Sequence, residues 1–426
     1  MCFLRFFNFL VLTIIELYDK LYLLKEVEGI NMEKQKIVYL DYAETTPMSN
    51  EVYREMIDAY GSIYASAKSA YKSGRESEIL LEKARTRVAK AIGAEESEIY
   101  FTSGGSESNN WAIKGIARAN KHKGNHIITS VIEHPSVLKS CKALEKEGFS
   151  VTYVPVDEFG VIKYSEIVKS IGPKTILISI MSANGEVGTI QPIKAIAELA
   201  KANKVVFHTD ATQAIGSIDF NVKDIGIDAL SITGHKIYGP KGVGALYVKK
   251  GVAIENLIDG GSQEGGKRAG TENVPSIVGL GKAVEQITEN VEENNRQMRS
   301  LRRYFLKQIS SLIHNVEQNG HATQRLQNSA SITFEGADGE AVMMMLDKEG
   351  IYVSTPSESA SDDAEHAHIL LEMGKDIETV NSTIRFSFGK TTTKEDVDYV
   401  AEKIRKAVKK VRSISAIRIY KNKVEL

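Results

Sequence analysis

Short β-branched runs alternate with longer amphipathic stretches through the middle of this chain, and that alternation restricts the fold more than any other feature. Strand candidates are EIYFTS (98–103), NHIITS (125–130), VTYVP (151–155), TILISIM (175–181), KVVFHTD (204–210), ALSIT (229–233) and GALYVKK (244–250). Helical patterns lie between several of them, at Ser77 to Ile92, Pro135 to Lys146 and Ile193 to Asn203. The order predicts a mostly parallel sheet with helices on both faces. After Pro275 the pattern changes. A long helix is expected over Ser276 to Leu312, then strands SASITFEG (329–336), GIYVST (350–355) and STIRFSFG (382–389), and an amphipathic terminal helix at Lys394 to Arg412. The 426 residues are ample for two domains. The expected class is α/β, with a large domain over 32–275 and a smaller α+β domain over 276–426, to which the segment after Met32 also contributes.

Residues 1–31 are read separately, as a leader. Phe3 to Leu17 is mostly apolar, but it is shorter than the ~20 residues of a spanning helix. Arg5, Asn8 and Glu16 interrupt it, and it carries no A-x-A-type cleavage site. The plain reading of the leader is an amphipathic or disordered extension, with a weak membrane anchor as the alternative. Met32, at the head of the charged MEKQKIVYLDYAETTP, is the working start, and no membrane partner is expected. Lys plus Arg (54) nearly cancels Asp plus Glu (55), so nothing favours nucleic acid, which wants a basic excess. Two cysteines, Cys2 and Cys141, make neither a disulfide framework nor a thiolate zinc site.

Four segments carry chemistry. In SITGHKIYGPKG (231–242), a strand ends just before His235 and Lys236, at the carboxyl edge where open α/β sheets bind ligands. A desolvated lysine there can form a Schiff base with a carbonyl cofactor; the plain alternative is a solvated surface lysine. HTDATQAIG (208–216) puts Asp210 at the end of another strand, where a carboxylate can pair with the pyridinium nitrogen of pyridoxal phosphate or simply cap a helix. Gln213, about one helical turn on, can reach a ring hydroxyl. FTSGGSESNN (101–110) joins strand to helix through Gly104, Gly105 and Ser106, offering backbone N–H groups to a phosphate or forming an ordinary loop. SVIEHPSVL (130–138) places His134 after a strand, where it can stack on a ring or serve structure alone.

Together and in this order, these segments resemble the pyridoxal-phosphate-dependent cysteine desulfurases of the NifS/IscS type. LDYAETTP (40–47), ANGEVGTIQP (183–192), GTEN (270–273) and TIRFSFGK (383–390) extend the likeness over nearly the whole chain after Met32. The resemblance implies an aspartate-aminotransferase-type fold, pyridoxal 5'-phosphate as cofactor, an amino-acid substrate (L-cysteine above all) and a cytoplasmic homodimer. It makes Lys236 the Schiff-base lysine, stacks His134 on the ring and pairs Asp210 with the ring nitrogen. Gln213 contacts the ring hydroxyl, and Gly105, Ser106, Thr233 and His235 surround the phosphate. Thr271 reaches the phosphate of the partner subunit, and Arg385 holds the substrate carboxylate. A sulfur acceptor or scaffold protein is the implied partner, in iron-sulfur cluster assembly.

The chain departs from that pattern at several positions. The family's loop cysteine falls at Ser359 in VSTPSESASDDAEHAHILLEMG (353–374), a segment without cysteine. A hydroxyl does not hold a sulfane sulfur as a thiolate does, so sulfur would pass to an external thiol or leave as sulfide. Gly185 stands where the family has an asparagine, Glu44 replaces a small residue, and YASAKSAY (64–71) loses the family's Asn, Pro and His. These changes point to altered substrate handling, with β-elimination, transamination or a non-catalytic role in sulfur assembly as alternatives. GSQEGGKR (261–268) imitates a phosphate-binding loop but has Arg268 where the magnesium-binding hydroxyl belongs. The acidic run Glu358, Asp362, Asp363 and Glu365, with His366 and His368, matches no standard metal spacing.

Overall fold

The computed structural model describes residues 36–62, 64–356 and 367–414. The leader 1–31, with Cys2, and the position of Ser359 lie outside these residues, as does most of the acidic run near it. The strands are β1 (Val38–Tyr39), β2 (Ile99–Thr102), β3 (His126–Ser130), β4 (Ser150–Val154), β5 (Thr175–Ser179), β6 (Val206–Asp210), β7 (Ala229–Thr233), β8 (Gly244–Val248), β9 (Val316–Asn319), β10 (Ser329–Phe334), β11 (Ile351–Tyr352) and β12 (Thr383–Ser387).

Seven strands form one sheet in the order β2-β8-β7-β6-β5-β3-β4. Pairing is antiparallel only on the two sides of β8 and parallel elsewhere. Every residue of β5, β7 and β8 is buried, which is why these strands read as unbroken apolar or small-residue runs rather than alternating ones. Because β2 runs parallel to β7, the carboxyl ends of β2, β3, β5, β6 and β7 share one edge. The segments holding Gly105, His134, Gly185, Asp210 and Lys236 all follow those ends.

The expected long helix over Ser276 to Leu312 is two helices, Val274–Thr288 and Val291–Leu312. Asn290 breaks them, with φ −140 and ψ 50; asparagine competes with helical hydrogen bonding and favours such junctions. The two helices also serve different cores. Val274–Thr288 packs on Asn50–Ser62 and Lys72–Ile92 in the core of the large sheet, whereas Leu301, Phe305 and Ile309 of the second enter a separate core. One straight helix could not direct its apolar stripe to both.

That second core lies on the three-stranded antiparallel sheet β12-β10-β9 and the terminal helix Lys394–Ile414. Phe305 meets Phe386 and Phe388 at ring separations of 5.0 and 5.3 Å, within the range for aromatic pairs. Val38 and Leu40 pack into the same core, and β1 pairs in parallel with β11. The expected strand GIYVST therefore shrinks to Ile351–Tyr352, after which Ser354 bridges to Arg385 on β12.

Candidate active site

Thr102 ends β2, and Gly104, with φ of 152, starts the helix Gly105–Asn110, which continues through a π-helical turn (Trp111–Gly115) into Ile116–Ala119. The first N–H groups of a helix have no partner within it, and here they border a cavity of about 500 Å³. A Cβ on Gly105 would lie 2.7 Å from Thr212 Cγ2, so the bare backbone is a packing requirement. Ser106, Thr233, His235 and Lys241 line the same cavity. Burial, reinforced by the neighbouring Lys236 charge, holds His235 down to about 4. Arg268 clamps this helix start to the glycine-rich loop through a bidentate pair with Glu107 at 2.8 and 3.0 Å. Arg85 and Glu264 make a second clamp on that loop, at 2.8 and 2.9 Å. GSQEGGKR is thus a loop pinned beside β2, not a strand-to-helix phosphate loop. Thr271, a few residues on, is exposed and lines no part of this cavity.

Asp210 is buried at the end of β6, and Thr212 N donates to its Oδ1 at 2.9 Å. Asn109 Nδ2 donates to Asp210 Oδ2 at 2.7 Å and to Ser136 Oγ at 2.9 Å. The Ser136 hydroxyl lies 2.7 Å from His134 Nδ1, which also accepts Ser136 N at 3.1 Å. An Nδ1 that accepts a backbone N–H carries no proton, so the neutral ring has its hydrogen on Nε2. A continuous chain therefore runs from Asp210 to His134. Asn109 and Ser136 escaped sequence reasoning because each reads as an ordinary helical polar residue. The Pro135 start of a helix was their one local signal.

Lys236 follows β7 in a turn stapled from a distant segment. Thr46 N and Oγ1 donate to His235 O at 2.8 and 2.9 Å, while Tyr238 N donates to Thr46 Oγ1 at 2.7 Å. Tyr238 is held at φ 63, a conformation few non-glycine residues adopt. The Lys236 amine reaches the cavity, and burial lowers its pKa while Glu44 and Asp210 oppose that shift. Gln213, Gly185 and Arg385 line an adjoining space of about 90 Å³ that also contains Lys236, Asp210 and His134. A Cβ on Gly185 would fall 2.5 Å from Gln213 Nε2, so the glycine leaves room for that amide.

Arg385, buried on β12, is surrounded by acids. Its Nη2 lies 2.9 Å from Asp41 Oδ1 and 3.7 Å from Glu44 Oε2, and its Nη1 lies 3.3 Å from Glu186 Oε2. Burial pushes Glu186 up to about 6 against the pull of Arg385. Of the sequence departures among the described residues, Glu44 and Gly185 thus line the Lys236 cavities, whereas YASAKSAY does not. Cys141 is fully buried and its thiol is pushed up to about 12 by that burial, which leaves it protonated and poorly nucleophilic.

A class-V aminotransferase family model matches residues 38–400. The sequence is 49% identical over 391 residues to the cysteine desulfurase IscS of Methanosarcina thermophila, spanning 92% of this chain and 96% of that protein. This chain belongs to the cysteine desulfurase family. It is also 40% identical to the Homo sapiens cysteine desulfurase, over 89% of this chain and 83% of that one. A NifS-like protein superposes with a TM-score of 0.83 at 40% identity, over 88% of this chain and 100% of that one. SspA in complex with cysteine gives 0.72 at 36%, over 82% and 98%. Members of this desulfurase family depend on pyridoxal phosphate, and the donor set here fits that cofactor. A bare-backbone helix start with Ser106, Thr233 and His235 suits a phosphate, a buried carboxylate suits a ring nitrogen, and a desolvated amine stands in the same cavity. Among the described residues, no helix is long and apolar enough to cross a membrane.

Beneath the site, His208 bridges Ser179 and Ser231 at 2.8 and 3.0 Å. Burial holds it down to about 4 from an ordinary value of 6.5, like His235. Between those pH values His208 binds a proton in the unfolded chain and not in the folded one, so its contribution to stability is lost as pH falls from 6.5 toward 4, while Glu186, with its raised pKa, acts in the opposite direction. Urea titrations at neutral pH and at about pH 5 should show His208→Gln losing less stability on acidification than wild type. Equal changes in the two proteins would contradict the assignment.

Proposed function

We propose that this desulfurase-family enzyme is a cytoplasmic homodimer that converts L-cysteine and a thiol to alanine and the persulfide of that thiol. A second thiol then releases sulfide and forms a disulfide. The observation that carries this reading is the convergence of Lys236, Asp210, His134 and Arg385 on connected cavities, a set that a non-catalytic scaffold does not need. Bound pyridoxal phosphate supplies the electron sink for charge developing at the substrate α-carbon.

The chain supplies the rest. Gly105, Ser106, Thr233 and neutral His235 hold the phosphate. Asp210, fixed by Asn109 and Thr212, keeps a proton on the ring nitrogen. His134, with its N–H at Nε2, would stack on the ring, and Gln213 would reach the ring hydroxyl. Lys236 Nζ anchors the cofactor and then carries the α-proton, a task for which a lowered amine pKa is suited. Arg385 takes the substrate carboxylate. Thr271 is assigned to the partner subunit's phosphate; its exposure, on a loop pinned by Arg268, supports that role.

Anaerobic incubation of the cofactor-loaded protein with L-cysteine, with and without dithiothreitol, tests the reaction. Alanine and sulfide should rise together and faster with dithiothreitol, since without it L-cysteine is the one small thiol present to accept the sulfur. Pyruvate with ammonia would instead identify β-elimination, and absence of both products would exclude cysteine as substrate. Ser359→Cys should gain a protein-bound persulfide, seen as one added sulfur atom by mass spectrometry. Failure of that variant to gain it would argue against placing residue 359 at the family's loop cysteine.

A further inference from the structure

Arg385 has more acid around it than one guanidinium can neutralise. Asp41 and Glu186 engage Nη2 and Nη1 from largely buried positions, with side-chain exposures of 18% and 1%. Glu186 lines the smaller cavity, and Asp41 lies behind it, lining neither. Glu44 differs: its carboxylate approaches Nη2 to 3.7 Å, yet its side chain is 58% exposed. It also lines two of the cavities that contain Lys236. Three carboxylates thus surround one guanidinium, and two of them, Glu44 and Glu186, border a cavity that contains Lys236.

A substrate carboxylate reaching Arg385 would be the fourth. Asp41 and Glu186 cannot leave without breaking buried contacts, so excess negative charge is relieved most cheaply by moving Glu44 outward, where water is already at hand. We propose that Glu44 is a specificity-determining residue that competes with the substrate carboxylate for Arg385 and must swing away when an amino acid binds. It weakens binding of a ligand that carries an α-carboxylate, whereas the same ligand without that group gains nothing when Glu44 is neutralised, because Glu44 also supports positive charge at the Lys236 amine. The inference rests on the assignment of Arg385 to the substrate carboxylate.

The test compares L-alanine with ethylamine, which is alanine without its carboxylate, as inhibitors of cysteine turnover. In Glu44→Gln, the inhibition constant of L-alanine and the KM for L-cysteine should fall roughly two- to five-fold, the scale of an exposed ion pair. The constant for ethylamine should not fall. Glu44→Ala should behave alike, which excludes an effect of the new amide. Arg385→Lys should weaken L-alanine and, combined with Glu44→Gln, remove most of the gain. If Arg385→Lys weakens L-alanine but Glu44→Gln leaves it unchanged, this inference fails and the Arg385 assignment stands. If Arg385→Lys leaves L-alanine unchanged, both fail. Equal tightening of alanine and ethylamine would also overturn the inference, because it would locate the action of Glu44 away from the carboxylate.

Discussion

Lys236→Ala should lower alanine formation from L-cysteine by about ten-thousand-fold, the upper end for a positioned acid–base group, because the same amine also anchors the cofactor. The fold should survive. The turn around Lys236 is held by Thr46 through His235 O and Tyr238 N, and none of those contacts uses the lysine side chain. Burial already disfavours the charged amine, so its removal relieves rather than creates a desolvation cost. Thermal unfolding within a few degrees of wild type, together with the lost turnover, is the expected pair of results. Activity within tenfold of wild type would contradict the assignment of Lys236.

Asp210→Asn should cost about a hundred- to thousand-fold in turnover, the range seen when one preorganised electrostatic contact to a developing charge is removed. The substitution keeps the side-chain shape, and one amide oxygen still accepts from Asn109 or Thr212, so one of two buried hydrogen bonds is lost. Cofactor retention should persist, since the phosphate contacts lie on other residues. Stopped-flow measurement of the first turnover separates the two effects. A normal first turnover in Asp210→Asn would place the ring nitrogen away from this carboxylate.

Much of the fold is legible in the amino-acid sequence. The seven strands of the large sheet are bounded there to within two residues; β5, β7 and β8, buried throughout, carry unbroken apolar or small-residue runs, and the half-buried edge strand β4 is marked by its β-branched and aromatic residues. β1 and β9 give no such signal. One has two residues, and the other, VEQN, has one apolar side chain, so neither displays a period. Lys236, Asp210, His134, Gly105 and Ser106 stand out because each lies just past a strand in an open sheet, where the fold itself puts ligands. Asn109 and Ser136 do not, because their meaning lies in a contact between two helices. The acids around Arg385 are hidden for a similar reason. Asp41 is 344 positions away, brought in by the parallel bridge of the N-terminal segment to β12, and Glu186 is 199 away, on the segment after β5.

The central claim is that Lys236 carries the cofactor in this cavity. Borohydride reduction of the pyridoxal-phosphate-loaded protein, followed by digestion and mass spectrometry, tests it directly. A single pyridoxyl-phosphate adduct on the peptide containing Lys236 is the result expected. An adduct on Lys241 or Lys390 instead, or no stable adduct at all, would contradict the account.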